Sequence, residues 1–324
     1  MHVLITGGAG FIGSHLAEYH LALGDKVHVV DDLSTGQLSN IAPFLDDPHF
    51  RFTEQDILTW CELDHAVGWA DRIYHMAAVV GVFRVLAEPI KVLATNIAAC
   101  ERLLRAVVHG GWRPQVVIAS SSEVYGPQGR VALHEGLPLL ITPGAPPRWN
   151  YAISKLADEA LGISYARQHG IPVVIARLFN TVGPRQTGRY GMVVPRFVRQ
   201  AVRGEPLTVF GDGQQSRAFI DVRDTVRYLD QLAQHASTEG VICNVGRDDE
   251  ITIENLARKV IERVGSTSTI LTMDYEAAYG QAYEDIPHRR PSVRKLHELV
   301  EHRPTWTLDA TLDDLIARVR AEET

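Results

Sequence analysis

Tyr151 and Lys155 stand four residues apart in the run Tyr151-Ala152-Ile153-Ser154-Lys155. On a helix that spacing puts a phenol and an ammonium on one face. A neighbouring positive charge stabilises a phenolate, so the pair forms a candidate general base with its pKa drawn down toward working pH. Upstream, Ser120, Ser121 and Ser122 lead into Glu123 at the end of an apolar run. Hydroxyls at the carboxyl end of a parallel strand lie where such sheets bind ligands, which makes Ser121 a candidate to hold a reacting oxygen. Near the N-terminus, Thr6-Gly7-Gly8-Ala9-Gly10-Phe11-Ile12-Gly13 follows the first apolar run directly. Gly7 permits a tight turn, Gly10 lets backbone approach a pyrophosphate, and Gly13 lets helix and strand pack closely. The first N–H groups of the ensuing helix, with its positive dipole end, then face the phosphates.

The run Val27-His28-Val29-Val30 ends on Asp31. A carboxylate there binds the ribose hydroxyls of a dinucleotide and repels a 2′-phosphate, so the cofactor predicted is NAD rather than NADP. Asp32 reads first as a turn residue and second as another ribose ligand. Asp56 and Ile57 follow a third strand-like run; Asp56 either faces the adenine or caps a helix. A phenolic base beside a bound hydride acceptor implies reversible oxidation of an alcohol.

These residues need a scaffold, and the hydrophobic pattern supplies one. Val3–Ile5, Val27–Val30, Arg72–Met76, Val116–Ser120 and Val173–Leu178 read as buried parallel strands, nearly continuous in apolar and β-branched residues. Amphipathic stretches at Ile90–Val108 and Ala152–His169 separate them. Alternation of this kind predicts an α/β fold, a doubly wound parallel Rossmann sheet. After about Asn180 the texture changes and Gly and Pro become frequent. Residues 1–179 are therefore read as the NAD-binding domain and 180–324 as a smaller C-terminal α/β substrate domain. Helices are expected over Ile253–Val264, capped by the Thr252 hydroxyl, and over Leu308–Arg320.

Composition removes several classes. The net charge of −7 comes without a basic stripe, which argues against nucleic acid as the main partner. The three cysteines, Cys61, Cys100 and Cys243, include no Cys-x-x-Cys pair, so neither a disulfide framework nor a metal site is expected. No window approaches about twenty uninterrupted apolar residues, and the start lacks the pattern of a signal peptide. A cytoplasmic protein is the expectation.

Taken together, the glycine loop, His75-Met76-Ala77-Ala78, Ser121 with Tyr151-x-x-x-Lys155, Leu178-Phe179-Asn180-Thr181-Val182-Gly183-Pro184-Arg185 and the segment Phe210–Phe219 resemble the extended short-chain dehydrogenase/reductase family, in its sugar-nucleotide epimerase/dehydratase branch. The resemblance covers essentially the whole chain. It implies Tyr151 as the base, Lys155 as its electrostatic partner and Ser121 as the hydroxyl on the reacting sugar oxygen. It also implies that Gly7, Gly10, Phe11, Ile12, Gly13, Asp31, Asp32, Asp56, Ile57, Ala77, Ala78 and Asn96 surround the cofactor. Asn180, Arg185, Val194, Arg217 and Arg289 would meet the nucleotide sugar, arginine forks being suited to phosphate oxygens. A segment near 218–245 would return to the cofactor domain, and a homodimer would be the usual assembly.

The shared opening step is oxidation at sugar carbon 4 to a 4-keto sugar. The fate of that ketone divides the branch. Ser122 occupies the place where the 4,6-dehydratases carry an Asp, which disfavours dehydration. A UDP-glucose 4-epimerase asks for little beyond Ser121, Tyr151 and Lys155, and is the first expectation. Ser122, Glu123 and Arg289 also resemble the UDP-glucuronate decarboxylases, and a UDP-glucuronate 4-epimerase would use the same groups to hold a carboxylate. A non-catalytic NAD-binding sensor is the reading from another class, and the presence of Ser121, Tyr151 and Lys155 weighs against it.

Overall fold

The computed structural model describes residues 1–141, 149–188, 191–280 and 285–323. The first half alternates strand and helix. In chain order it runs β1 (His2–Thr6), α1 (Phe11–Ala22), β2 (Lys26–Asp31), β3 (Phe50–Glu54), α2 (Leu63–Trp69), β4 (Arg72–His75), α3 (Val82–Ala87), α4 (Pro89–His109), β5 (Gln115–Ser121), α5 (Asn150–His169) and β6 (Val173–Leu178). The second half comprises β7 (Thr181–Val182), α6 (Val193–Val202), β8 (Leu207–Phe210), β9 (Ser216–Ala218), β10 (Ile220–Asp221), α7 (Val222–Ala233), β11 (Val241–Val245), β12 (Glu250–Thr252), α8 (Ile253–Val264), β13 (Ile270–Met273), α9 (Tyr275–Tyr279), β14 (His288–Arg289), α10 (Arg294–Leu299) and α11 (Leu308–Glu322).

Seven strands form one parallel sheet in the order β11-β6-β5-β4-β1-β2-β3. Strand order reverses between β1 and β4, which pair from Val3 opposite Arg72 to Thr6 opposite His75. The connections leaving these two strands diverge to opposite sides, and a crevice opens at their carboxyl ends. Strand side chains alternate faces, so Val3 and Ile5 pack with α1 and α7 residues such as Leu16, Leu229 and Leu232. Leu4, on the other face, packs with Leu103, Leu104 and Val107 of α4. Both faces are covered, which is why the strands read as unbroken apolar runs. The edge strand β11 lies in the segment near 218–245 that the resemblance would return to the cofactor domain, although no strand was named there from the sequence. Its five residues include the polar Asn244, and it pairs with β6 from Val241 opposite Val174 to Val245 opposite Leu178.

A second core holds the C-terminal part together, with Phe197 and Val198 of α6, Val209 of β8, Leu256 and Val260 of α8, and Leu312 and Ile316 of α11. Its helices end as local chemistry dictates. The Thr252 hydroxyl accepts from Asn255 N at 3.2 Å, and Gly265 closes α8 in the left-handed region at φ +67. Among the described residues no helix is long and apolar enough to cross a membrane.

A buried carboxylate ties the end of the chain to α7. Asp224, wholly shielded, accepts from His302 Nε2 at 3.0 Å, from the Thr305 backbone N and hydroxyl at 3.0 Å each, and from Trp306 N at 2.9 Å. Replacing it strands several donors away from water. We expect Asp224→Ala to lower unfolding free energy by about 3 kcal/mol, read as a lower denaturant midpoint. A midpoint unchanged from the parent protein would mean that this segment is held by apolar packing alone.

Candidate active site

A cleft of about 580 Å³ opens at the strand-order reversal and extends into the C-terminal part. Its floor at one end is the glycine loop. Gly7 has φ +70, and a Cβ there would lie 2.6 Å from Ala77 N. A Cβ on Gly13 would come within 2.3 Å of the Gly7 carbonyl oxygen. Backbone is thus packed on backbone, and any side chain at either position would spread the loop. No side chain caps α1 at Gly10, so its first N–H groups stay available to an anion. Phe11 and Ile12 complete this wall.

Asp31 ends β2 at the rim of the same crevice. Its carboxylate accepts from Ala9 N at 3.0 Å and Leu33 N at 2.9 Å. Burial raises its pKa, and the Leu33 and Ala9 donors oppose that rise. Asp32 is exposed and closes a turn by accepting from Ser34 N at 2.9 Å. Asp56 does the same with Leu58 N at 2.8 Å, and both it and Ile57 still line the cleft. Ala77 and Ala78 form the opposite wall, whereas His75 is sealed behind it with Nδ1 2.8 Å from the Thr6 hydroxyl. Asn96 of α4 holds that wall in place: its Oδ1 accepts from Val79 N at 2.7 Å, and its Nδ2 donates to Ser154 Oγ at 3.0 Å. Uncapped amides, close-packed glycines and a carboxylate at the cleft rim suit NAD.

Ser121, Ser122, Glu123, Tyr151 and Lys155 come together where β5 ends and α5 begins. Ser121 is the last residue of β5, and its Oγ accepts from Glu123 N at 3.2 Å, which turns the chain into a short 3-10 segment. Ser122 is buried in that turn and faces the cleft. Tyr151 sits in the first turn of α5, with Lys155 one turn later. Burial raises the Tyr151 pKa, the Lys155 charge lowers it, Glu123 and Asp158 raise it, and a hydrogen bond with Ser121 lowers it. Without a further positive charge the phenol therefore stays protonated. Beneath the pair, Glu159 receives Arg177 Nε at 2.9 Å and Nη2 at 2.8 Å, and so locks α5 to β6.

The C-terminal part closes the other side. Arg289 of β14 donates through Nη1 to Glu123 Oε1 at 3.1 Å and through Nη2 to Asn180 Oδ1 at 2.9 Å. Arg217 of β9 donates from Nη2 to both oxygens of Asp285 at 2.9 Å, and Tyr275 donates to the same carboxylate at 2.9 Å. Val194 of α6 also lines the cleft. Arg185, expected at the substrate, is placed elsewhere. Its backbone adopts φ +67, its guanidinium donates to Glu18 on α1 at 2.7 Å, and it does not line the cleft. Sequence reasoning missed Asp158, Asp285 and the rings of Tyr275 and Tyr279. No local spacing marks Asp285, whose partner Arg217 is 68 residues away.

A profile of the NAD dependent epimerase/dehydratase family matches residues 3–246. The chain is 36% identical over 327 residues to the UDP-N-acetyl-alpha-D-glucosaminuronate decarboxylase of Bacillus cytotoxicus, spanning 99% of this chain and 98% of that protein. It is 34% identical over 325 residues to UDP-glucuronic acid decarboxylase 1 of Xenopus tropicalis, spanning 99% of this chain and 72% of that one. The structure is similar to that of UDP-glucuronic acid 4-epimerase from Bacillus cereus, solved with UDP-glucuronic acid and NAD: the TM-score is 0.85 and the identity 27%, over 99% of this chain and 100% of the other.

Two substitutions test the cofactor end. Gly13→Ala drives a methyl into the Gly7 carbonyl, and we expect NAD affinity by calorimetry to fall at least about tenfold. Asp31→Ala removes the charge that opposes a 2′-phosphate, so the ratio of NAD to NADP affinity should drop; an unchanged ratio would remove Asp31 from the ribose site.

Proposed function

The chain belongs to the NAD dependent epimerase/dehydratase family, and within it we propose that the protein is an NAD-dependent decarboxylase of a UDP-linked hexuronate. The observation that carries this reading is the Glu123–Arg289 ion pair, 3.1 Å long, in the same cleft as Ser121 and Tyr151. The Arg289 fork suits a carboxylate on sugar carbon 6 as it suits a phosphate oxygen, and a uronate beside Glu123 would use it for the former. The Bacillus cytotoxicus and Xenopus tropicalis relatives, both decarboxylases of UDP-uronates, support the same choice. The first expectation from sequence, a UDP-glucose 4-epimerase, draws no specific support from either and gives way to this alternative.

In this reading each residue has its own part. Ser121 holds the oxygen on sugar carbon 4, and Tyr151 takes the proton from that hydroxyl. Bound NAD supplies the hydride acceptor and can later return the hydride. Once carbon 4 is a ketone, the carboxylate on carbon 5 is β to it, and the bond to carbon 6 can break with its electrons drawn into the enolate. Arg289 orients the carboxylate before that step. Glu123 places a negative charge beside it, which favours conversion of the carboxylate to neutral carbon dioxide. Tyr151, protonated by then, stabilises the enolate oxygen by hydrogen bonding.

The deciding experiment incubates the purified protein with NAD and, separately, UDP-glucuronate, UDP-N-acetylglucosaminuronate and UDP-glucose, and weighs the products. The proposal expects one of the two uronates to lose the mass of carbon dioxide and UDP-glucose to be untouched. An isomer of UDP-glucuronate at unchanged mass would assign 4-epimerisation of the uronate, the reading favoured by likeness to the Bacillus cereus epimerase. Turnover of UDP-glucose would restore the first expectation. Tyr151→Phe should retain NAD binding and lose turnover by about a hundredfold or more. Arg289→Ala should raise the Michaelis constant for the uronate by at least about tenfold. An unchanged constant would remove Arg289 from the carboxylate site.

A further inference from the structure

Among the described residues, one cation of the cleft has no carboxylate against it. Arg84 and Lys91 share Glu88, Lys155 meets Asp158, Arg217 meets Asp285 and Arg289 meets Glu123. Arg196, in the first turn of α6, lines the same space, and no acid acts on it. Burial pulls its guanidinium down to about 10, and the Tyr279 phenol opposes that shift only in part. A half-buried charge kept without a partner costs stability. Its methylene stem could pack as well on an uncharged side chain, so packing gives no reason for the charge.

The guanidinium is nonetheless held firmly. Its Cζ lies 3.9 Å from the centroid of the Phe210 ring, and Nη2 donates to the Thr208 carbonyl at 3.0 Å. These two contacts fix the plane of the fork. Nε is shielded from water without a partner, whereas Nη1 is unshielded and also unpartnered among the described residues. Phe210 is set in turn by Gln215, whose Nε2 donates to its carbonyl at 2.7 Å, and by the Tyr279 ring, edge to face at 5.4 Å. Tyr279 stacks on Tyr275 at 6.3 Å. The result is a corner with aromatic walls and one fixed donor that nothing compensates.

A flat ring bearing a carbonyl oxygen suits that corner better than a strongly hydrated phosphate does. The proposed function already gives Arg289 the sugar carboxylate. Arg217 stands beside it on the paired strands β9 and β14, in place for the diphosphate. Arg196 belongs to a different pair of elements, α6 and β8, so the part of the ligand left to meet it is the edge of the base away from the ribose.

We propose that Arg196 reads the base of the nucleotide sugar: its fork, fixed on Phe210, donates through Nη1 to the 4-carbonyl oxygen of uracil and selects uracil over cytosine. This rests on the reading that the cleft takes a UDP-linked sugar. Cytosine carries an amino group at that position, and its N–H donors would face the cation with nothing to accept.

Calorimetry of UDP and CDP binding to the NAD-loaded protein tests this, with Arg196→Met as the variant. The parent should bind UDP at least about tenfold tighter than CDP, and the variant should bring the two within about threefold of each other. Its melting temperature should hold or rise, because an uncompensated charge gives way to an apolar chain of similar length. A drop in melting temperature with the UDP preference intact would show a structural residue and overturn the proposal. So would an equal loss of UDP and CDP affinity, which would move Arg196 to the phosphates, and so would a parent that binds the two alike or binds neither. Should the variant fail to fold, 4-thio-UDP reads the same contact on the parent protein. Sulfur is the poorer acceptor, and its affinity should be about tenfold below that of UDP; equal affinity would sink the idea. Binding is measured without turnover. A protein that prefers UDP in this way but leaves both uronates unchanged would count against the decarboxylase and leave Arg196 in its place.

Discussion

Backbone crowding at the crevice mouth governs the rest of the site. The turn at Gly7 passes so close to Met76 and Ala77 that no side chain fits between them. The first turn of α1 is therefore pressed toward the carboxyl ends of β1 and β4, where the strand order reverses. The amides of that turn, the Asp31 carboxylate and the reactive residues at the end of β5 all face one space because of this contact. The constraint is steric, and it explains why glycine appears at positions that carry no chemistry of their own.

The cleft beyond the loop is an arrangement of opposed charges rather than a positive funnel. Arg217 meets Asp285, Arg289 meets Glu123, and Lys155 meets Asp158. Each cation is thus held by a carboxylate until a ligand competes for it. An anionic ligand bound there would displace one anion with another, so selectivity would depend on fork geometry more than on net attraction. This agrees with a chain whose overall charge is negative.

Much of the frame was legible in the sequence. Strands buried on both faces leave unbroken apolar runs, and α4 keeps its periodicity because one face packs on the sheet, whereas α5 buries a mostly polar and small-residue face that includes Ser154, Lys155, Asp158 and Glu159. Tyr151 and Lys155 were legible because their relation is local, one helical turn. The ion pairs that shape the cleft join residues as far apart as Glu123 and Arg289, and no pattern in a single chain announces them. Asp158 was local and still missed, since a carboxylate three residues after a lysine on a helix ordinarily reads as a solvated surface pair. Arg185 was misplaced for a conformational reason: its left-handed backbone turns the guanidinium toward α1 and away from the cleft that its neighbours line.

The seventh strand carries a consequence for how the molecule can be cut. β11 joins the sheet beside β6 only after the chain has built β7 to β10, α6 and α7 in the C-terminal half. A fragment ending at β6 would expose that strand's unpaired amides and carbonyls as an open template for other chains. The two halves are therefore not detachable modules: exchanging the rest of the second half while keeping α7 and β11 with the sheet would require three junctions, after β6, before α7 and after β11, rather than a single splice.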